Sequence, residues 1–167
     1  MSLESRGVIT TKGREILAKS IGGLLRDNNN NKIHLELKYF SVGEGGHIST
    51  GNPDLPFDLI DPSTRINELE LAKPILFNST TVWRKAITEI DYIGNGTLRI
   101  VVFIGPDEPV YPRVLRPGDP PDLPPTVYIL SEIGLYDEQN NLIFYAVHPP
   151  EFKPAGTPIH NTLYVSL

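Results

Sequence analysis

The sequence predicts an α+β fold: an N-terminal helix packed beside a mostly antiparallel β-sheet or sandwich, with long loops rich in proline and glycine. Three observations carry that reading. One stretch near the N-terminus has apolar residues at helical spacing, several later stretches alternate with period two, and turn-forming residues separate the alternating stretches.

Taken in order, Thr11 is the expected N-cap of a helix over about Lys12 to Leu25, whose apolar face is Ile16, Leu17, Ile21, Leu24 and Leu25. Asp27 to Asn31 ends it, because short amide side chains compete for backbone hydrogen bonds and favour a turn. From Ile33 to Val42 the pattern alternates, with Ile33, Leu35, Leu37 and Tyr39 on one side and His34, Glu36 and Lys38 on the other. Gly43-Glu44-Gly45-Gly46 reads as a tight exit from this strand, followed by loop to about Thr64; Ile66 to Pro74 is ambiguous. Ala86 to Ile93 and Leu98 to Ile104 read as adjacent antiparallel strands joined by Gly94-Asn95-Gly96.

Eight of the sixteen prolines lie between Gly105 and Thr126, which removes the backbone donors a sheet would need and marks an excursion from it. Polyproline-like extension suits an arm lying across a neighbour. Val127 resumes the fold. Ser131 to Tyr145 then reads as a hairpin whose apolar strands flank a polar turn from Asp137 to Asn141, and Ile159 to Leu167 alternates as a C-terminal strand.

A chain of 167 residues fits one domain and buries roughly 70% of its unfolded surface, so a proper core is available. With 40% apolar and 21% charged residues it sits in the globular range. A formal charge of −5 argues against a phosphate-binding surface, and no nucleic-acid partner is expected. Neither a signal peptide nor a run of membrane-helix length is seen, so no membrane insertion is expected. Without cysteine there is no disulfide and no zinc–thiolate site. His34, His47, His148 and His160 lack ligand-pair spacing; no metal or cofactor is expected, although a three-fold axis could gather copies of His160. The G-x-S-x-G elbow is absent, and Glu132, Asp137 and Glu138 sit in and beside a turn, where solvated carboxylates are ordinary; no catalytic residue is assigned.

Four segments occur in a fixed order: Gly7-Val8-Ile9-Thr10-Thr11-Lys12-Gly13, Ser41-Val42-Gly43-Glu44-Gly45-Gly46, Trp83-Arg84-Lys85-Ala86, and the hairpin containing Ile133-Gly134-Leu135-Tyr136-Asp137. Together, over about Arg6 to Pro154, they resemble the N-terminal domain of bacteriophage tail-collar fibre proteins, which joins a tail fibre to the baseplate of a contractile tail or phage-tail-like particle. The resemblance implies a non-enzymatic structural protein, a homotrimer, with baseplate proteins and fibre subunits as partners, made in the bacterial cytoplasm and residing in the particle. It implies a structural turn at Gly43, Gly45 and Gly46, and the hairpin adds Gly134 and Asp137 to the structural-turn set. The expected protein interface is Trp83 with Pro109, Tyr111, Pro112, Pro120, Pro121, Pro124 and Pro125 of the excursion. Long fibre proteins continue into a shaft and tip, whereas this sequence ends at Leu167, so an adapter or collar into which a separate fibre docks, or a short fibre on its own, is expected. Two other readings are a carbohydrate-binding module stacking sugars on Tyr111, Tyr128, Tyr136 and Tyr145, and a hydrolase dependent on Glu132 or Asp137.

Overall fold

A computed structural model describes residues 6–64, 83–109 and 127–167. The ambiguous segment Ile66 to Pro74, and Tyr111, Pro112, Pro120, Pro121, Pro124 and Pro125 of the expected interface, lie outside the described residues.

The architecture is mostly antiparallel sheet with a helix beside it, as the alternation predicted. A five-stranded sheet runs in the order β1 (Arg6–Ile9), β9 (Leu142–Lys153), β8 (Tyr128–Asp137), β2 (Leu37–Gly43), β5 (Lys85–Ala86). A three-stranded sheet has β7 (Thr97–Ile104) between β10 (Ile159–Ser166) and β6 (Glu89–Gly94), and a short hairpin pairs β3 (His47–Ser49) with β4 (Phe57–Leu59). Helix α1 (Thr11–Ile21) packs against β9.

The main core lies between the two larger sheets: Phe40 and Val42 from β2, Ile133 and Leu135 from β8, and Ile100, Val102 and Ile104 from β7 are all essentially inaccessible to water. Tyr39, Tyr136, Tyr145 and Val147 form a second cluster on the opposite face of the five-stranded sheet, with Leu59 of the β3–β4 hairpin packed against it.

Several sequence expectations shift. The helix N-cap is Thr10, one residue before the expected Thr11: its extended backbone lets Oγ1 accept the Gly13 amide at 2.7 Å while donating to the Leu142 carbonyl. The helix stops at Ile21 rather than Leu25, because Gly22 caps it and Gly23 turns left-handed. Ile21 and Leu24, expected on the buried face, are 81% and 69% exposed. The second strand begins at Leu37 rather than Ile33. A bulge between Leu37 and Tyr39 reverses its phase, so Tyr39 leaves the face of Leu37 and Phe40 takes its place in the main core. The stretch expected to be loop up to Thr64 contains β3 and β4, which are too short to show periodicity. The expected strand Ala86 to Ile93 is two strands in different sheets: the Ile87 amide still bonds Lys38 of β2, whereas that of Thr88 already bonds Val101 of β7.

Both predicted hairpin turns are closed by the residues that favour them. Asn95 and Gly96 both have positive φ, as a two-residue turn with the right-handed strand twist requires. At the β8–β9 turn Asn140 is left-handed, and Asp137 accepts the Asn141 amide at 2.8 Å and its side-chain amide at 2.9 Å. Asp137 is 3% exposed, so Asp137→Ala leaves Asn141 donors short of an acceptor. A loss of about 1–2 kcal/mol is expected in urea unfolding, and a midpoint equal to wild type would show the turn to be held by its strands alone.

Candidate functional site

The Gly43–Gly46 turn folds back over β8 and is held by reciprocal contacts. Glu44 reaches β8 and accepts the Ile129 amide at 2.7 Å. From β8, Glu132 Oε1 accepts the Gly45 amide at 3.0 Å and Oε2 accepts the Tyr145 hydroxyl. Ser131 Oγ accepts the Gly46 amide at 3.0 Å and lies 2.6 Å from His47 Nδ1. Ser131 lies at a register shift between Leu130 and Glu132, where β9 carries the extra residues His148 to Pro150, and the neighbouring Ser131 and Glu132 side chains both bond the glycine turn. All four anchors are buried, Glu132 completely, so each bond is made where water cannot replace it.

Gly46 fits because it has no side chain: a Cβ there would stand 2.1 Å from the Ser131 carbonyl oxygen. Gly13, in the first signature segment, has the same constraint against β9, with a Cβ 2.5 Å from the Ile143 carbonyl oxygen. Gly43 is paired with Glu132, and Gly134 sits mid-strand in β8 between Ser41 and Tyr145.

The Trp83 segment is used within the chain. Trp83, expected at an interface, is half-buried with its ring edge-on to Phe40 at 5.6 Å, and its carbonyl accepts the Ser41 hydroxyl. Arg84 lies 4.9 Å from the ring centre of Tyr136, whose hydroxyl burial pushes to a higher pKa. Lys85 bonds Glu108 at 2.7 Å, and Glu108 also accepts the Gly105 amide; burial raises its carboxyl, but these donors outweigh burial and hold it below the ordinary value. Pro109, the one expected interface proline within the described residues, is buried beside this anchor.

The four segments singled out in the sequence therefore converge. They supply β1 with the start of α1, β2 with its glycine exit, β5, and the β8–β9 hairpin, which together are the five strands of the larger sheet. The partners of the glycine turn were not found from sequence, since Gly46 and Ser131 are 85 residues apart and no local pattern links them.

Of the four tyrosines expected to stack on sugars, Tyr111 lies outside the described residues and Tyr128 is half-buried. Tyr136 and Tyr145 are 4% and 1% exposed and offer no ring face to solvent. Both oxygens of Glu132, like both of Asp137, are engaged inside the protein rather than presented to a cleft. His160 stacks on Phe103 at 4.5 Å, and among the described residues no cluster of His, Asp or Glu has metal-site geometry. No helix among them is long and apolar enough to cross a membrane.

A second feature is a groove of about 860 Å³ between the two larger sheets, open beside β10 and lined by apolar residues including Val42, Leu130 and Phe144. Arg6, His148 and Glu151 stand at it, and burial lowers the pKa of His148. No family model, curated protein or solved structure matches the chain.

Proposed function

We propose that the chain is a structural attachment protein of a contractile phage tail or phage-tail-like particle, a tail-fibre or adapter protein that attaches the receptor-binding fibre to the baseplate. The observation that supports it most is the convergence of the four resembling segments on one sheet, where Gly13 and Gly46 sit at backbone contacts that admit no side chain. Motifs shared by chance would have no reason to meet. Buried Glu44, Ser131 and Glu132 tie the glycine turn to that sheet, which fits a rigid module whose chemistry is that of interfaces. On this reading the partners are baseplate proteins and fibre subunits, and the working form is a homotrimer.

Quantitative mass spectrometry of sedimented, intact particles from producing cells tests the proposal. The expected result is co-purification in a fixed ratio to a baseplate subunit, a multiple of three per baseplate arm. Absence from assembled particles would overturn it.

A further inference from the structure

The two larger sheets do not cover each other fully, and each overhangs on a different side. On one side the inner face of the five-stranded sheet continues past β10, leaving the groove of about 860 Å³ floored by Leu130, Phe144 and Ala146 and walled by Leu163 and Val165. On the other side the three-stranded sheet overhangs. Ile90 and Tyr92 of β6 are in register with the inward-facing Ile100 and Leu98 of β7, yet they are 38% and 70% exposed while Ile100 is fully buried. Among the described residues, an inward-facing pair left uncovered on one edge is thus matched by an open, largely apolar groove beside the opposite edge.

The edges differ as well. Natural sheets protect free edges with charges, prolines, bulges or shortness. Strand β1 is four residues long and carries Arg6, and β6 has Glu89, Asp91 and an irregularity between Tyr92 and Gly94. Strand β10 pairs with β7 in unbroken register over eight residues and contains no charge and no proline. Among the described strands it has one neighbour, so its outer edge is a template for another strand.

We propose that a second copy of this chain lays its β6 along β10, continuing the three-stranded sheet and carrying Ile90 and Tyr92 into the groove. Donor and acceptor lie on opposite edges of the same sheet, so the contact is head-to-tail and joins copies in a ring when the rotation closes. Glu89 and Asp91 do not oppose it. They point to the outer face, where Arg99 of the same chain bonds them at 2.5 and 2.6 Å. The inference goes beyond the attachment reading: it concerns how copies of the chain associate and stands whether or not they enter a particle.

Light scattering on the purified chain is expected to give a small multiple of 18.6 kDa, three in the trimer of the attachment reading, and the exposed-site variant Ile90→Lys with Tyr92→Lys is expected to give 18.6 kDa with an unchanged circular dichroism spectrum. A monomeric wild type, or an undiminished mass in the variant, would overturn the proposal. Cysteine pairs fix the geometry, because the natural chain has none. Tyr92 and the groove-facing residues of β10 are separated by β7, about 9.5 Å at two strand spacings, beyond the roughly 7 Å limit of a disulfide. Under oxidation, Tyr92→Cys chains mixed with Asn161→Cys, Leu163→Cys or Val165→Cys chains are expected to form mixed disulfides in at least one combination. No link in any combination, or single variants linking only to themselves, would overturn the head-to-tail contact.

Discussion

Gly46→Ala is expected to destabilise the protein by about 3 kcal/mol, at the upper end of ordinary overpacking, because the obstruction is backbone. The new methyl carbon would stand 2.1 Å from the Ser131 carbonyl oxygen and 2.7 Å from its carbon. No rotamer relieves that contact. Either the turn lifts, breaking the Gly45–Glu132 and Gly46–Ser131 bonds, or β8 shifts beneath it, where Leu130 and Ile133 are core residues. For a chain of this size the loss corresponds to a fall in Tm of roughly 6–12 °C. Gly7→Ala is the control: its added carbon would meet Ala146 and Tyr145 at 3.5 and 3.6 Å, ordinary contact distances, and its effect should lie within about 0.5 kcal/mol. Equal unfolding midpoints for the two variants would show that the glycine turn is not clamped to β8.

The contrast between Gly7 and Gly46 also shows what a sequence discloses. Both glycines belong to segments that stand out on reading, but only the fold separates a tolerated one from an obligatory one, since the obstructing atoms at Gly46 come from β8, 85 residues away. The elements with local causes were legible: the helix from its periodicity, the Asn95-Gly96 and Asp137–Asn141 turns from side chains that tolerate or close them, and the alternating β10. Those set by distant partners were not. The phase of β2 turns on a bulge matched to β8 and β5, and the division of Lys85 to Gly94 between two sheets depends on which strand each amide meets. Strands β3 and β4, three residues each, are positioned by contact with β9 and carry too few residues for a period. The offset of the sheets is equally silent in sequence, because Ile90 and Tyr92 read as an ordinary buried alternation until Ile100 is found beneath a sheet that stops short of them.

Glu132 presents the sharpest division between a chemical and a structural role. Its side chain is fully buried, one oxygen accepting the Gly45 amide and the other the Tyr145 hydroxyl. Glu132→Ala is expected to cost about 3–5 kcal/mol, because the buried Gly45 amide and Tyr145 hydroxyl both lose this acceptor in a layer with Val147, at about 1–3 kcal/mol for each donor. Glu132→Gln keeps the volume and one carbonyl oxygen, so its cost should fall to about 1–2 kcal/mol, near that of a single weakened hydrogen bond. Tyr145→Phe removes only the hydroxyl from the same contact, and because it shares that bond with Glu132→Gln, the double variant should lose less than the two single losses together. Urea unfolding of the four proteins measures this coupling. Strict additivity would mean that Glu132 and Tyr145 act independently and that the buried bond contributes nothing specific. A catalytic carboxylate behaves differently: Glu132→Gln would abolish turnover while leaving stability nearly intact. A large stability loss in Glu132→Ala, recovered mostly in Glu132→Gln and coupled to Tyr145, is the signature of a carboxylate whose work is to hold the glycine turn on its sheet.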